Sequence, residues 1–174
     1  GDLSEEAAFA TYKEQAGYLA EGGVDGFIIE TMFDLNETLA AVKACKEAAP
    51  DLPVVASMTF ETLKRGGRTM MGNSATDCAK ALDEAGADVI GANCGSLNPE
   101  EMAEIVKAMV DATDRPVAVQ PNAGKPRIEG DQTVFDMAAN PFAEGIEICL
   151  ENGASVIGGC CGTTPEHIAR LREL

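Results

Sequence analysis

Three cysteines stand where short apolar runs stop. Cys94 follows Val89-Ile-Gly-Ala-Asn93, and the adjacent pair Cys160-Cys161 follows Val156-Ile-Gly-Gly159. Three thiolates suit zinc, which binds cysteine sulfur at about 2.3 Å and prefers a tetrahedral arrangement. Three protein ligands leave a fourth position open for substrate, and the substrate that belongs there is another thiol. Three thiolates already give the centre a formal negative charge, so a fourth stays electron-rich. Such a site favours nucleophilic attack by sulfur over activation of water at a carbonyl. On the residues alone, two alternatives stand beside this one. The cysteines could be small core residues in a reducing compartment, or the vicinal pair could do redox chemistry through a strained disulfide.

Neighbouring side chains on a regular strand face opposite ways, so Cys160 and Cys161 cannot both point inward from one. The pair must lie past a strand end, where Gly158-Gly159 and Gly162 supply backbone freedom. Around these points the chain alternates helix and strand signals. Helices are expected from Ser4 to about Glu21, over 35–49, and from about Ala75, Pro99, Pro141 and Pro165. Apolar runs at 24–29, 54–59, 87–92, 117–120 and 155–158 read as strands. Asn98-Pro99, Asn140-Pro141 and Thr164-Pro165 each set a capping side chain before a proline at the first helical position. The apolar runs lack alternation, as expected for a parallel sheet covered on both faces.

An internal repeat orders these elements. Glu21-Gly-Gly-Val-Asp-Gly-Phe-Ile-Ile-Glu-Thr31, Glu84-Ala-Gly-Ala-Asp-Val-Ile-Gly-Ala-Asn-Cys94 and Glu151-Asn-Gly-Ala-Ser-Val-Ile-Gly-Gly-Cys-Cys161 align without a gap. Each reads as helix end, glycine cap and strand, and the copies are about two βα units apart. They therefore occupy alternate strands. In a (β/α)8 barrel, alternate strands share a layer and functional groups gather at the strand C-termini. The alignment equates Glu30, Asn93 and Cys160, and it equates Thr31, Cys94 and Cys161. Five parallel strands and six helices make a partial TIM barrel, read as a single domain over 1–174 that lacks the first three βα units. Free parallel edges beside an apolar lumen imply a complementary barrel half or self-association.

Composition narrows the partners. With 174 residues and 45% hydrophobic content, the chain can build one buried core. Its net charge of −16 argues against nucleic acid or an anionic membrane as partner. No apolar run nears the roughly 20 residues of a membrane span, so a cytoplasmic location is expected. Cys45, Cys78 and Cys149 fall within helical patterns and read as small buried hydrophobes. Lys64, Arg65, Arg68, Lys125 and Arg127 read as solvated loop charges, with an anionic donor or partner as the alternative. His167, the one histidine, sits in the first turn of the last helix and reads as structural.

Gly158-Gly-Cys-Cys-Gly-Thr-Thr-Pro-Glu-His167, together with Gly91-Ala-Asn-Cys94 and Pro121-Asn-Ala-Gly-Lys-Pro126, resembles the homocysteine S-methyltransferase family. The glycine after the cysteine pair, Met58-Thr-Phe60 and Gly67-Arg-Thr69 look most like the homocysteine-binding barrel of its cobalamin-dependent methionine synthase branch. The resemblance implies a methyltransferase in which Cys94, Cys160 and Cys161 ligate zinc and homocysteine sulfur takes the fourth place. It implies that the homocysteine thiolate attacks a methyl group from methylcobalamin, giving methionine. The corrinoid would arrive on another domain or chain. By the same resemblance Glu30 binds the substrate ammonium, and Asn122 fills the fourth metal position when substrate is absent. S-methylmethionine, betaine or another donor is the alternative within the family. A non-catalytic zinc-binding partial barrel, assembling with a complementary chain, is the alternative of another class.

Overall fold

The computed structural model of the chain describes residues 4–174, apart from the side chain of Arg65. Helix α1 (Glu5–Glu21) starts at the Ser4 cap and leads into strand β1 (Phe27–Met32). Helix α2 (Leu35–Ala48) leads to β2 (Val54–Met58), and α3 (Ala75–Glu84) leads to β3 (Val89–Asn93). Helix α4 (Pro99–Val110) precedes β4 (Val117–Gln120). A hairpin of β5 (Arg127–Glu129) and β6 (Gln132–Val134) intervenes before α5 (Ala139–Glu151), β7 (Val156–Ile157) and α6 (Pro165–Leu171).

The main sheet has the order β1-β2-β3-β4-β7, parallel throughout. Spatial order equal to chain order means that each crossover steps the same way. Right-handed crossovers then put the helices on one face. This is the winding of a (β/α)8 barrel, represented by five parallel strands and six helices. The three repeat copies fall on β1, β3 and β7, which are alternate strands.

Each copy turns from helix to strand in the same way. Gly23, Gly86 and Gly153 adopt φ of 84°, 93° and 97°, and the residue after each donates its N–H to a carbonyl five residues back. The glycine ends the helix in the left-handed conformation that closes a Schellman motif. That turn takes up residues the apolar pattern had assigned to strand. Hence β1 begins at Phe27 and β3 at Val89, two or three residues later than expected.

Phe27, Ile29, Val54, Ala56, Met58, Ile90, Ala92, Val117 and Val119 are buried in one core with the helix side chains Val42, Leu82, Met102, Val106, Phe142 and Ile146. Cys45, Cys78 and Cys149 are buried there too, as expected of small apolar residues. Burial pushes the Cys78 and Cys149 thiols up to about 12. Coverage of both faces holds only for the central strands. At the two edges, Ile28 is 53% and Val156 48% exposed, since β1 and β7 each have a neighbouring strand on one side only among the described residues. No helix among the described residues is long and apolar enough to cross a membrane.

Two of the three proline caps occur where expected. Asn98 caps α4 in a capping box with Glu101, and Thr164 precedes α6. The third differs, since α5 starts at Ala139 with Ala138 as cap and no side-chain bond. Pro141 is its third residue, still within the turn whose amides lack intrahelical partners, so the proline is tolerated there as well. Asn140 instead accepts a bond from Arg170 Nε at 3.1 Å. The β5–β6 hairpin was not anticipated. Its strands are mostly exposed and bury no face, so periodicity is silent, and only the Gly130-Asp131 turn marks it.

Helices α4 and α5 approach closely at Gly145, where a methyl group would lie 2.6 Å from Pro99 Cβ and 3.0 Å from the Glu100 amide nitrogen. Alanine normally stabilises a helix relative to glycine by about 1 kcal/mol, but here the clash decides the sign. Gly145→Ala is expected to destabilise the chain by about 1–3 kcal/mol in urea unfolding. An unchanged midpoint would show that the two helices can part freely.

Candidate metal and thiol site

The C-terminal ends of the strands depart from regular geometry in a patterned way. Ile29 pairs with Ala56 and Met32 with Met58, so Glu30 and Thr31 together oppose Ser57 in a bulge. Thr31 has φ of 62° and Cys94, its repeat counterpart, 58°. Left-handed backbone is rare for any residue with a side chain and costs on the order of 1–3 kcal/mol. The strain recurs at the same rim position in the first two repeat copies. Gly95 follows Cys94 at φ 74°, pressed so closely on the Phe60 carbonyl that no side chain fits. In the third copy the left-handed residue is Gly162, at φ 80°, directly after Cys161. The cysteine pair thus lies beyond β7, in a glycine-flanked turn as expected.

These turns bring the three sulfurs together. Cys94 Sγ and Cys160 Sγ each lie 3.9 Å from Cys161 Sγ, and all three sulfurs fall within 4.8 Å of one another. Tetrahedral zinc with sulfur bonds of about 2.3 Å requires sulfurs about 3.8 Å apart. The donor set and its spacing therefore fit a divalent metal of zinc type. The electrostatics point the same way. Burial, reinforced by Cys94 and Cys161, pushes the Cys160 thiol up to about 12, and burial and Cys94 raise Cys161. A cation at the centre reverses that balance and favours the deprotonated form of each thiol.

Two buried carboxamides hold the turns. Asn122 Nδ2 donates to the Gly95 carbonyl at 2.9 Å, and its Oδ1 accepts the Cys161 N–H at 3.1 Å. Beside it, the Cys160 N–H donates to Pro121 O and the Ala123 N–H to Cys161 O, both at 2.9 Å. The segment after β4 therefore continues the parallel ladder along the cysteine pair. Asn93 Oδ1 accepts the Thr31 N–H at 2.8 Å, and Nδ2 donates to Thr31 Oγ1 at 2.9 Å and toward Cys160 Sγ at 3.8 Å. The repeat alignment set Asn93 level with Glu30 and Cys160 without giving it a task. Glu30 lies exposed in the β1 bulge, and it makes no salt bridge among the described residues.

His167 is structural. Its Nδ1 accepts the Thr164 N–H at 3.2 Å and its Nε2 lies 2.9 Å from the Met137 carbonyl. A carbonyl can only accept, so Nε2 carries the proton and no ring nitrogen is left for a metal. Phe142 meets the ring edge-on, at 5.2 Å between centroids. The loop cations are largely committed to neighbours. Arg68 donates to Gly72 O, Lys125 pairs with Glu101, and Arg127 pairs with Glu129 and Asp136. Lys64 is exposed, and the Arg65 side chain lies outside the described residues.

The family profile described as homocysteine S-methyltransferase matches residues 1–174. Methionine synthases of Mycobacterium leprae (strain TN) and Mycobacterium tuberculosis (strain ATCC 25618 / H37Rv) are each 35% identical over 165 residues, 92% of this chain. The chain spans only 13% and 14% of their lengths. Among solved structures, the oxidized form of the homocysteine methyltransferase MmuM from Escherichia coli superposes with a TM-score of 0.78 at 24% identity, covering 99% of this chain and 53% of that one. The carboxyl transferase domain of Rhizobium etli pyruvate carboxylase gives a TM-score of 0.63 at 17% identity, over 91% of this chain and 24% of that one. At these identities the solved structures share the fold.

Asn122 ties two backbone groups that have few alternatives, so Asn122→Ala is expected to cost about 1–3 kcal/mol of unfolding free energy. A loss below about 0.5 kcal/mol would show that the two cysteine turns hold together without it.

Proposed function

From a chain that belongs to the homocysteine S-methyltransferase family, we propose an enzyme domain that binds zinc through Cys94, Cys160 and Cys161 and methylates homocysteine sulfur to give methionine. The observation that carries this is the triad of sulfurs at strand ends, two of its three spacings at 3.9 Å and the third within 4.8 Å, close to what a tetrahedral metal requires. A zinc ion bound to Cys94, Cys160 and Cys161 would lower the pKa of an incoming thiol so that its proton leaves to solvent, and would keep the resulting thiolate nucleophilic toward a methyl group. The residues of the chain supply the rest. Cys94 after β3 and the pair after β7 converge from two places on a rigid sheet, which sets the direction from which a fourth sulfur can enter. Glu30, exposed at the rim and without a salt bridge among the described residues, is suited to take the substrate ammonium. Asn122 Oδ1 is held against Cys161 and keeps a second lone pair, which supports it as the fourth ligand before substrate arrives.

Methylcobalamin is the proposed donor, carried on another domain or chain. The small share of the methionine synthases that this chain spans supports that division of labour. The open edges at Ile28 and Val156 support completion of the sheet by further βα units or by self-association. A cluster of reduced thiols is in keeping with the cytoplasm.

The full chain is expected to bind one zinc and then homocysteine, and Cys160→Ser is expected to lose both. If the substitution leaves zinc content and homocysteine affinity unchanged, the proposal fails. Transfer from free S-methylmethionine without a corrinoid would overturn the donor. Glu30→Gln should leave zinc bound and weaken homocysteine by about 10- to 100-fold, the worth of a charge-assisted bond. Each thiol must lose a proton to bind metal, so affinity rises with pH. Going from pH 8 to pH 7 should weaken zinc binding by up to about a thousandfold, read by chelator competition.

A further inference from the structure

Asn93 ends β3 with its carboxamide fully buried and both polar atoms engaged. Thr31 lies two strands away on one side, past β2. Cys160 lies two strands away on the other, past β4. One side chain therefore spans the site from the β1 bulge to the turn after β7. Both ends depend on it. The bulge frees the Thr31 N–H from the β2 ladder, and Asn93 Oδ1 takes it at 2.8 Å. At the other end, Nδ2 presents a neutral N–H toward Cys160 Sγ, which favours charge on sulfur without adding a charge of its own.

Few side chains can do both. Oδ1 must accept once and Nδ2 must donate twice, within a pocket that admits no extra length. Aspartate keeps the acceptor but has no N–H and sets an anion beside the sulfur. Alanine keeps neither. Glutamine is one methylene too long for a fully buried position.

We infer that Asn93 is a positioning residue that links the Cys160 sulfur to the Glu30–Thr31 bulge, so that metal ligand and amine-binding carboxylate keep one fixed relation. The half that concerns Glu30 rests on the function proposed above. The half that concerns Cys160 requires only that the triad take up a metal.

The test uses the full chain carrying Asn93→Asp or Asn93→Ala. Folding is followed by circular dichroism and thermal melting, zinc affinity by chelator competition, and ligand geometry by the sulfur-to-cobalt charge-transfer band of the cobalt-loaded chain. Folded Asn93→Asp is expected to lose about 10- to 100-fold in zinc affinity and to shift the cobalt band. Asn93→Ala should match that loss and weaken homocysteine further, because it also releases Thr31. A purely structural residue would lower the melting temperature and leave the cobalt band in place. Folded Asn93→Asp with zinc affinity within about twofold of wild type and an unmoved band overturns the inference. So does failure of both variants to fold, which makes Asn93 a structural residue alone. Should the wild type take zinc but no homocysteine, the role of Glu30 falls, and the zinc and cobalt readouts still decide the link to Cys160.

Discussion

Five parallel strands, ordered in space as in the chain, set the constraint from which the rest of this molecule follows. With every strand running the same way, the C-terminal ends share one rim, and the helices lie on the opposite side of the strands from the open face. Residues far apart in sequence can then meet only at that rim. Cys94 and Cys161, the closing residues of two repeat copies, come within 3.9 Å of one another for this reason. The bulge in β1 and the glycine turn after β7 are local departures that aim side chains from a scaffold otherwise regular.

The rim concentrates cost as well as chemistry. Left-handed backbone at Thr31 and Cys94 is unfavourable, and so is charge on Cys160 or Cys161 beside the other sulfurs. What offsets them is a small set of buried hydrogen bonds. Asn122 joins the Gly95 and Cys161 turns, Asn93 joins Thr31 and Cys160, and the backbone around Pro121 and Ala123 continues the sheet beside the cysteine pair. The two carboxamides are neutral and can donate and accept at once. That is why they can line a cluster of potential anions without adding to its repulsion.

Strand identity, parallel winding and the alternate-strand placement of the cysteines were all legible, because each rests on a strong local signal. The signals are apolar runs of strand length, glycine caps at Gly23, Gly86 and Gly153, and a gapless repeat. Strand starts were less legible. The Schellman turns consume apolar residues such as Val24 and Ala87 that hydrophobicity alone cannot tell from strand. The β5–β6 hairpin buries no face and left no periodic trace. The α5 cap was misplaced because Asn140-Pro141 satisfies a first-turn rule at more than one register.

Residue types and repeat register by themselves placed Cys94, Cys160 and Cys161 at strand ends on one rim, and the family resemblance added Glu30 and Asn122 as candidates beside them. Cys94, Cys160, Cys161, Glu30 and Asn122 all carry chemistry that does not depend on the fold. Only the tertiary structure decided how they are held. A carboxamide has the same composition whether it caps a helix, ligates a metal or bridges two turns, and its partners come from strands the sequence does not put side by side. Whether three sulfurs stand about 4 Å apart or much farther is likewise set by sheet register and by left-handed turns, which depend on packing across the whole rim.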